Sequence, residues 1–227
     1  MNYTICETLM WQALTPTMFR WLKQRESGWD LSALKRNAKR IYKQMANRTP
    51  EIGSLSKNSL RICLSCGMVW LSVYEAADGK MNEDCFAGMV RASMEAPLVK
   101  KAFQKKELFT REAQKKRADN AKKGNAASAS SFNWNTDVIL GRDADECTIL
   151  YHQCGLCALG RQEGLMHLVP HMCVLDILSV EWMGGVLYRT KTLATGGDCC
   201  DFYICRKGSK WDAERRQYEE AERNEHS

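Results

Sequence analysis

Apolar positions recur at helical spacing through the first half of the chain, and the pattern changes to short alternating runs between turns in the second. Residues 10–23 begin a helix that Pro16 is expected to interrupt. Residues 31–45 read as a basic amphipathic helix and 59–77 as a helix with a long apolar surface, stopped by Ala76-Ala77-Asp78-Gly79. Two further helices are expected over 82–94 and 97–117. The stretch 123–131 (KGNAASASS) has no bulky apolar side chain and the composition of a flexible linker.

Beyond that stretch, 136–140 and 147–152 are strand-like runs around a turn at 141–145. A mixed segment over 154–169 leads to Pro170, which suits the first turn of a helix stopped by Gly184-Gly185. Runs 186–193 and 200–206 are then strands joined by a glycine-rich turn at 194–198. The pattern predicts an α+β protein: a helical N-terminal region (1–122), the linker (123–131), and a domain (132–210) of β-β-α-α-β-β order whose antiparallel sheet packs on helices. A charged tail (211–227) ends the chain.

Composition narrows the class. With 44% hydrophobic residues, 15 Gly and 4 Pro in 227, the chain is neither collagen-like, low-complexity nor wholly disordered. The net charge of +6 hints at nucleic acid, yet ten Lys/Arg against three acidic residues lie within 100–123, so the excess belongs to one solvated helix. That helix has neither a recognisable binding motif nor the aromatic interleaving of single-strand binders, and nucleic acid is not an expected partner. No run approaches 18 uninterrupted apolar residues, so no membrane span is expected, and the start lacks the basic and apolar regions of a secretory leader. Eleven cysteines, odd in number and two of them adjacent, are therefore expected to stay reduced in a cytoplasm.

The chemistry-bearing residues concentrate after residue 146. The helix around Met172–Val180 is apolar on every face except at Asp176, so that carboxyl is expected to be desolvated, with Cys173 one turn before it. This pair reads either as a structural thiol and a capping carboxylate or as a thiol beside a base of raised pKa. Strand alternation puts Arg189 and Lys191 on one face, as a solvated edge or a cationic wall for an anionic substrate. Cys200 and Asp201 fall in the returning strand, where an Asp among aromatic and apolar residues is unexpected as structure. The turn with Gly196, Gly197 and Asp198 offers backbone N–H groups to an oxyanion. Of the two C-x-x-C pairs, Cys63/Cys66 lies on an apolar helix and reads as packing. Cys154/Cys157, with His152, His167, His171 and Cys173 nearby, reads as a set for a divalent metal or an iron–sulfur cluster. His167 and His171 have i, i+4 spacing, but Pro170 between them spoils the helical geometry.

Three segments carry a family resemblance: YHQCGLCALGRQEG at 151–164, LVPHMCVLD at 168–176 and LYRTKTLATGGDCCDF at 187–202. Across about residues 55–206 the chain resembles the L-2-amino-thiazoline-4-carboxylic acid hydrolase family. The resemblance implies a hydrolase of cysteine metabolism that opens a small cyclic isothiourea acid to a carbamoyl-cysteine. It carries over Cys154, Cys173, Asp176, Arg189, Thr190, Asp198, Cys200 and Asp201. In the chemistry expected of such a site, Cys173, Asp176, Cys200 and Asp201 are catalytic, while Arg189, Thr190, Gly196, Gly197 and Asp198 bind a substrate with a carboxylate. Cys154, Cys157, His152 and His167 are the expected ligands of a divalent metal, zinc or manganese, if one is used; a homo-oligomer is also expected. The competing reading is a cysteine-ligated metal or iron–sulfur module that binds a small ligand or senses redox state without catalysis.

Overall fold

A computed structural model describes residues 3–225, as nine α-helices and one four-stranded antiparallel sheet. Helices α1 (Ile5–Arg25), α2 (Leu31–Arg48), α3 (Arg61–Ala76) and α4 (Glu83–Met94) form an N-terminal bundle. Short polar side chains start three of them. Thr4 and Glu7 make a capping box on α1, Asp30 accepts from the Ser32 and Ala33 N–H groups of α2, and Asn82 accepts from Cys85 N on α4. α3 runs through the middle of the bundle, with Leu64, Met68, Val69, Leu71 and Val73 inaccessible to solvent. Burying each such side chain stabilises the fold by about 1.5–3 kcal/mol.

Pro16 does not interrupt α1, which is continuous across it. Proline removes the hydrogen bond to the carbonyl four residues earlier, but Trp11, Leu14, Met18 and Leu22 bury the inward face on both sides of Pro16 and hold the helix together. The single helix expected over 97–117 is two: α5 (Pro97–Gln104) and α6 (Arg111–Ala127). Adjacent Leu108 and Phe109 both enter the core, which a helix with a narrow apolar stripe cannot arrange, and Thr110 then caps α6 through Ala113 N. Residues 123–127, expected in the linker, are the last turns of α6. The rest of that stretch is tied down: Asn133 Nδ2 donates to the carbonyls of Gly124 and Ser128, and its Oδ1 accepts from Asn58.

The second half runs β1 (Asn135–Leu140), β2 (Glu146–Gln153), α7 (Gly155–Gln162), a 3-10 turn over Met166–Leu168, α8 (Val169–Trp182), β3 (Gly185–Tyr188), a 3-10 turn over Leu193–Thr195, β4 (Cys200–Arg206) and α9 (Lys210–Glu225). The strand order is β1-β2-β4-β3. In this half the expected β-β-α-α-β-β succession is the observed one. The last strand pair is shorter than expected, because β3 stops at Tyr188: the Asp201 carboxylate takes the N–H groups of Thr190 (3.1 Å) and Lys191 (2.9 Å) that a longer strand would pair with its neighbour. Asn125 does something similar at the other edge, where its amide pairs with both the N–H and the carbonyl of Thr136 in β1, each at 2.9 Å. The expected tail is helical, with Asp212 buried and bonded to Tyr188 Oη, Gly208 N and Arg216; residues 226 and 227 lie outside the described ones.

One core joins the halves. Phe132, Trp134, Cys157, Leu159, Leu168, Val169, Met172 and Leu175 pack in the same cluster as α1–α4. A second cluster, with Cys147, Ile149, Phe202 and Ile204, lies between the sheet, α8 and the Leu108–Phe109 turn. Among the described residues no helix is long and apolar enough to cross a membrane.

Candidate active site

The C-terminal end of β2, the first turn of α7, the middle of α8 and the start of β4 converge where the two halves meet. Cys154 is the residue between β2 and α7 and occupies the N-cap of that helix. Gly155 follows it for a steric reason: a Cβ there would lie 2.2 Å from the Phe132 carbonyl oxygen and 2.7 Å from the Trp134 ring. α7 also packs closely on α3, since a Cβ on Gly67 would meet Leu156 Cδ2 at 2.3 Å. The position of Cys154 is thus fixed from both sides.

Asp176 has two properties that only a recess reconciles. Its side chain keeps 46% of its surface accessible, yet desolvation raises its pKa to about 7, partly opposed by Arg189. A carboxyl on the convex surface would be solvated and acidic; a carboxyl in a packed core would have no accessible surface. Asp176 therefore lines a narrow space that solvent can enter but protein surrounds. Cys63 on α3 behaves the same way, exposed yet with a pKa pushed up by burial to about 12 and also raised by the charge of Asp176. Earlier the Cys63/Cys66 pair reads as packing; this holds for Cys66, at 8% exposure, and not for Cys63. The helix α8 is likewise not buried on every face, as Ile177 is 41% exposed.

Around that recess stand Cys63, Cys154, Cys173, Cys200, Tyr151 and Arg189, each close enough to Asp176 to sense its charge or to pair with it. Arg189 Nη1 donates to the Cys173 carbonyl at 3.2 Å and lies 3.6 Å from Asp176 Oδ2, with the guanidinium over the Phe202 ring. Tyr151 sits opposite Cys200 across the β2–β4 pairing and packs edge-on against Phe202. Leu193 N donates to the Cys200 sulfur at 3.3 Å. Lys106 and Arg117 bring positive charge toward Cys63 and Tyr151.

The thiols differ in character. Burial pushes Cys173 up to about 12 and Cys200 up to about 11. Cys154 moves the other way. The Cys157 thiol beside it is the largest influence, outweighing burial, and the Cys157 and Leu156 N–H groups add to it. None of these N–H groups makes a cap hydrogen bond of ordinary geometry to the sulfur, so the helix end acts through its charge distribution more than through one short contact.

Other expected site residues lie apart from this group. Asp201 is on the alternate face of β4 from Cys200, and its acceptors are filled by the two backbone N–H groups and the Thr190 hydroxyl. These contacts outweigh burial and hold it below the usual carboxylate range. Lys191 does not share a face with Arg189 as strand alternation predicts: it turns outward to Asp198 at 2.6 Å, while only 17% of the Arg189 side chain is accessible. In the glycine turn Gly196 adopts φ +91° and Gly197 N donates to the Thr192 carbonyl, which uses that N–H within the turn. The four expected metal ligands are not brought together. His152 pairs with Asp137 at 3.1 Å and His167 sits edge-on to Tyr74, and among the described residues no three His, Cys, Asp or Glu side chains are placed to hold a metal ion. An open groove of about 520 Å³ between α1 and α2, lined by Trp11, Thr15, Pro16, Lys35 and Lys39, shares no residue with the recess.

Residues 64–204 match the family model of L-2-amino-thiazoline-4-carboxylic acid hydrolase. The chain belongs to that family. The match covers Tyr151, Cys154, Cys173, Asp176, Arg189 and Cys200 and begins one residue after Cys63. No curated protein and no solved structure matches the chain. The family is one of hydrolases, and Cys154 and Asp176 both lie within the matched residues.

Proposed function

We propose that the protein hydrolyses a small cyclic isothiourea acid of the 2-amino-thiazoline-4-carboxylate type, with Cys154 as nucleophile and Asp176 as proton donor and acceptor. The observation that carries this reading is the placement of the helix-start thiol of Cys154 near the Arg189-paired carboxyl of Asp176, a thiol whose pKa is lowered beside a carboxyl whose pKa is raised to about 7. An attacking thiolate and a leaving group that needs a proton ask for that combination near neutral pH.

In this reading the Cys154 thiolate adds to C2 of the ring, the carbon bonded to the ring sulfur and two nitrogens. The C2–S bond breaks and the departing sulfur takes the proton of Asp176, which leaves an isothiourea on Cys154 and a free thiol on the substrate. Asp176, now a carboxylate, accepts a proton from water as the water oxygen adds to the same carbon. Loss of the Cys154 thiolate then yields the N-carbamoyl amino acid, so that one water is consumed and the nucleophile is returned. Arg189 spends one nitrogen on the Cys173 carbonyl and Asp176, and its remaining N–H donors suit the substrate carboxylate. Asp201 acts as a positioning residue by fixing the backbone immediately after Arg189. Cys173 and Cys200, with raised pKa values, form walls of the site.

Release of free thiol from 2-amino-thiazoline-4-carboxylate tests the reading. Wild type should release it, and a trapped adduct should appear by mass on Cys154. Turnover that survives Cys154→Ser in a folded protein would overturn the assignment of the nucleophile, and no thiol release by wild type would overturn the substrate class.

A further inference from the structure

Cys157 has no place in the hydrolytic steps except as a neighbour of Cys154, and yet the two make a specific arrangement. Cys154 is the N-cap of α7 and Cys157 the third residue of that helix, so both face the same side of its first turn. The two thiols are close enough for each to shift the ionisation of the other, and neither cysteine is in a disulfide. Access is unequal: Cys154 is half-buried at the recess, whereas Cys157 is 2% exposed beneath it. Gly155, between them, lies against the Phe132 carbonyl and the Trp134 ring, where a side chain has no room.

We propose that Cys154 and Cys157 form a reversible dithiol–disulfide couple, oxidised by a small peroxide, in which Cys154 meets the oxidant and Cys157 resolves it. The Cys154 thiolate attacks one peroxide oxygen, the O–O bond breaks, and water leaves once the departing oxygen is protonated, giving a sulfenic acid. The Cys157 sulfur then attacks the Cys154 sulfur, the S–O bond breaks, and hydroxide leaves with the Cys157 proton as a second water. The two thiols lose two electrons and two protons in all, and the peroxide is reduced to two waters. Two exchanges with a small dithiol return the pair to the thiols. The helix N-terminus favours the attacking thiolate, and a sulfenic acid next to a thiol condenses before it oxidises further. Cys173 also lies near both sulfurs and is the competing partner.

The proposal stands on the dithiol and is independent of the hydrolytic reading. Its test is peptide mapping of the full chain after one equivalent of hydrogen peroxide. Trypsin releases residues 143–161, which contain Cys147, Cys154 and Cys157. This peptide should lose two hydrogens and become unreactive to alkylation at Cys154 and Cys157 while Cys147 still alkylates, and dithiothreitol should restore both sites. Cys157→Ser should instead accumulate a sulfenic acid on Cys154 that dimedone traps. Full alkylation of both cysteines after peroxide, or a bond from Cys154 to Cys173, would overturn it. If the protein also opens thiazolines, turnover should be lost and regained with the disulfide; if it does not, the peptide result still decides the couple.

Discussion

Glu7 and Asp176, two inward carboxyl groups that each stand beside an arginine, are opposites. Glu7, at the N-terminal end, is inaccessible to solvent and fully partnered: Arg61 Nε and Nη2 approach at 3.3 and 3.2 Å, Ser65 donates at 3.0 Å, and Thr4 donates through its N–H and hydroxyl. Burial pushes its pKa up, but the Thr4 contacts and Arg61 outweigh burial and lower it. Asp176 has greater accessible surface and, among the described residues, one ionic contact, at 3.6 Å, and its pKa rises to about 7. Accessibility alone would order the two pKa values the other way; the number of donors each carboxylate receives gives the order found, and a carboxyl left short of donors can exchange a proton at neutral pH.

The largest effect should come from Asp176→Asn. Removal of a positioned acid–base group is expected to lower kcat/KM for thiol release by about 10²–10⁴-fold, with thermal stability at neutral pH unchanged or raised. A fall in stability to match the fall in activity would make Asp176 a structural group like Glu7. Glu7→Ala should do the reverse. Leaving Arg61 buried without its main partner is expected to cost about 3–5 kcal/mol in denaturant unfolding, while the activity per folded molecule stays near wild type.

The pH dependence of stability should separate them by sign. Glu7 has a depressed folded pKa, so its contribution is present above its unfolded value, near 4.5, and is lost as pH falls through the folded one. Asp176 is raised from 3.8 to about 7, so the folded state holds the extra proton between these values, and stability falls as pH rises across that window. Thermal melts of Asp176→Asn should lose that decline, and its kcat/KM profile should lose the ionisation near 7. A smaller effect is expected from Gly155→Ala, which drives a methyl into the Phe132 carbonyl and should cost about 1–3 kcal/mol and impair Cys154 along with it. Smallest is Thr190→Val. Loss of one hydroxyl from the Asp201 clamp should cost about 0.5–1.5 kcal/mol and be seen more in KM than in kcat.

Sequence periodicity gave the helices and strands of the second half almost in full, because hydrophobic spacing records which face of an element is covered. Asp176 is legible for the same reason, as the one charge in the apolar run Met172–Val180. Spacing does not record whether an apolar face borders packed side chains or an open recess, so Cys63 read as filler although it lines the site. Nor does it show a side chain replacing a strand partner. Arg189 and Lys191 were assigned to one face, and the Asp201 carboxylate ends the strand before either of them. The placement of Cys154 is legible in part: a strand-like run followed by Cys-Gly puts a thiol where a helix can start, and C-x-x-C spacing alone points equally to a metal set. His152 and His167 are near Cys154 in sequence, but one bonds across the β1–β2 pair and the other packs on Tyr74.

The two side chains that interrupt the sheet edges have a consequence for how copies of the chain meet. An outer strand with a free row of N–H and carbonyl groups is a template on which a second molecule can extend the sheet. Asn125 occupies both backbone groups of Thr136 on β1, and Asp201 limits β3 to four residues by taking the next N–H groups for itself. Both margins of the sheet are therefore blunted against intermolecular strand addition. In a chain with eleven thiols this also matters for cross-linking, since stacking of sheets from separate copies would bring cysteines of different molecules within bonding reach.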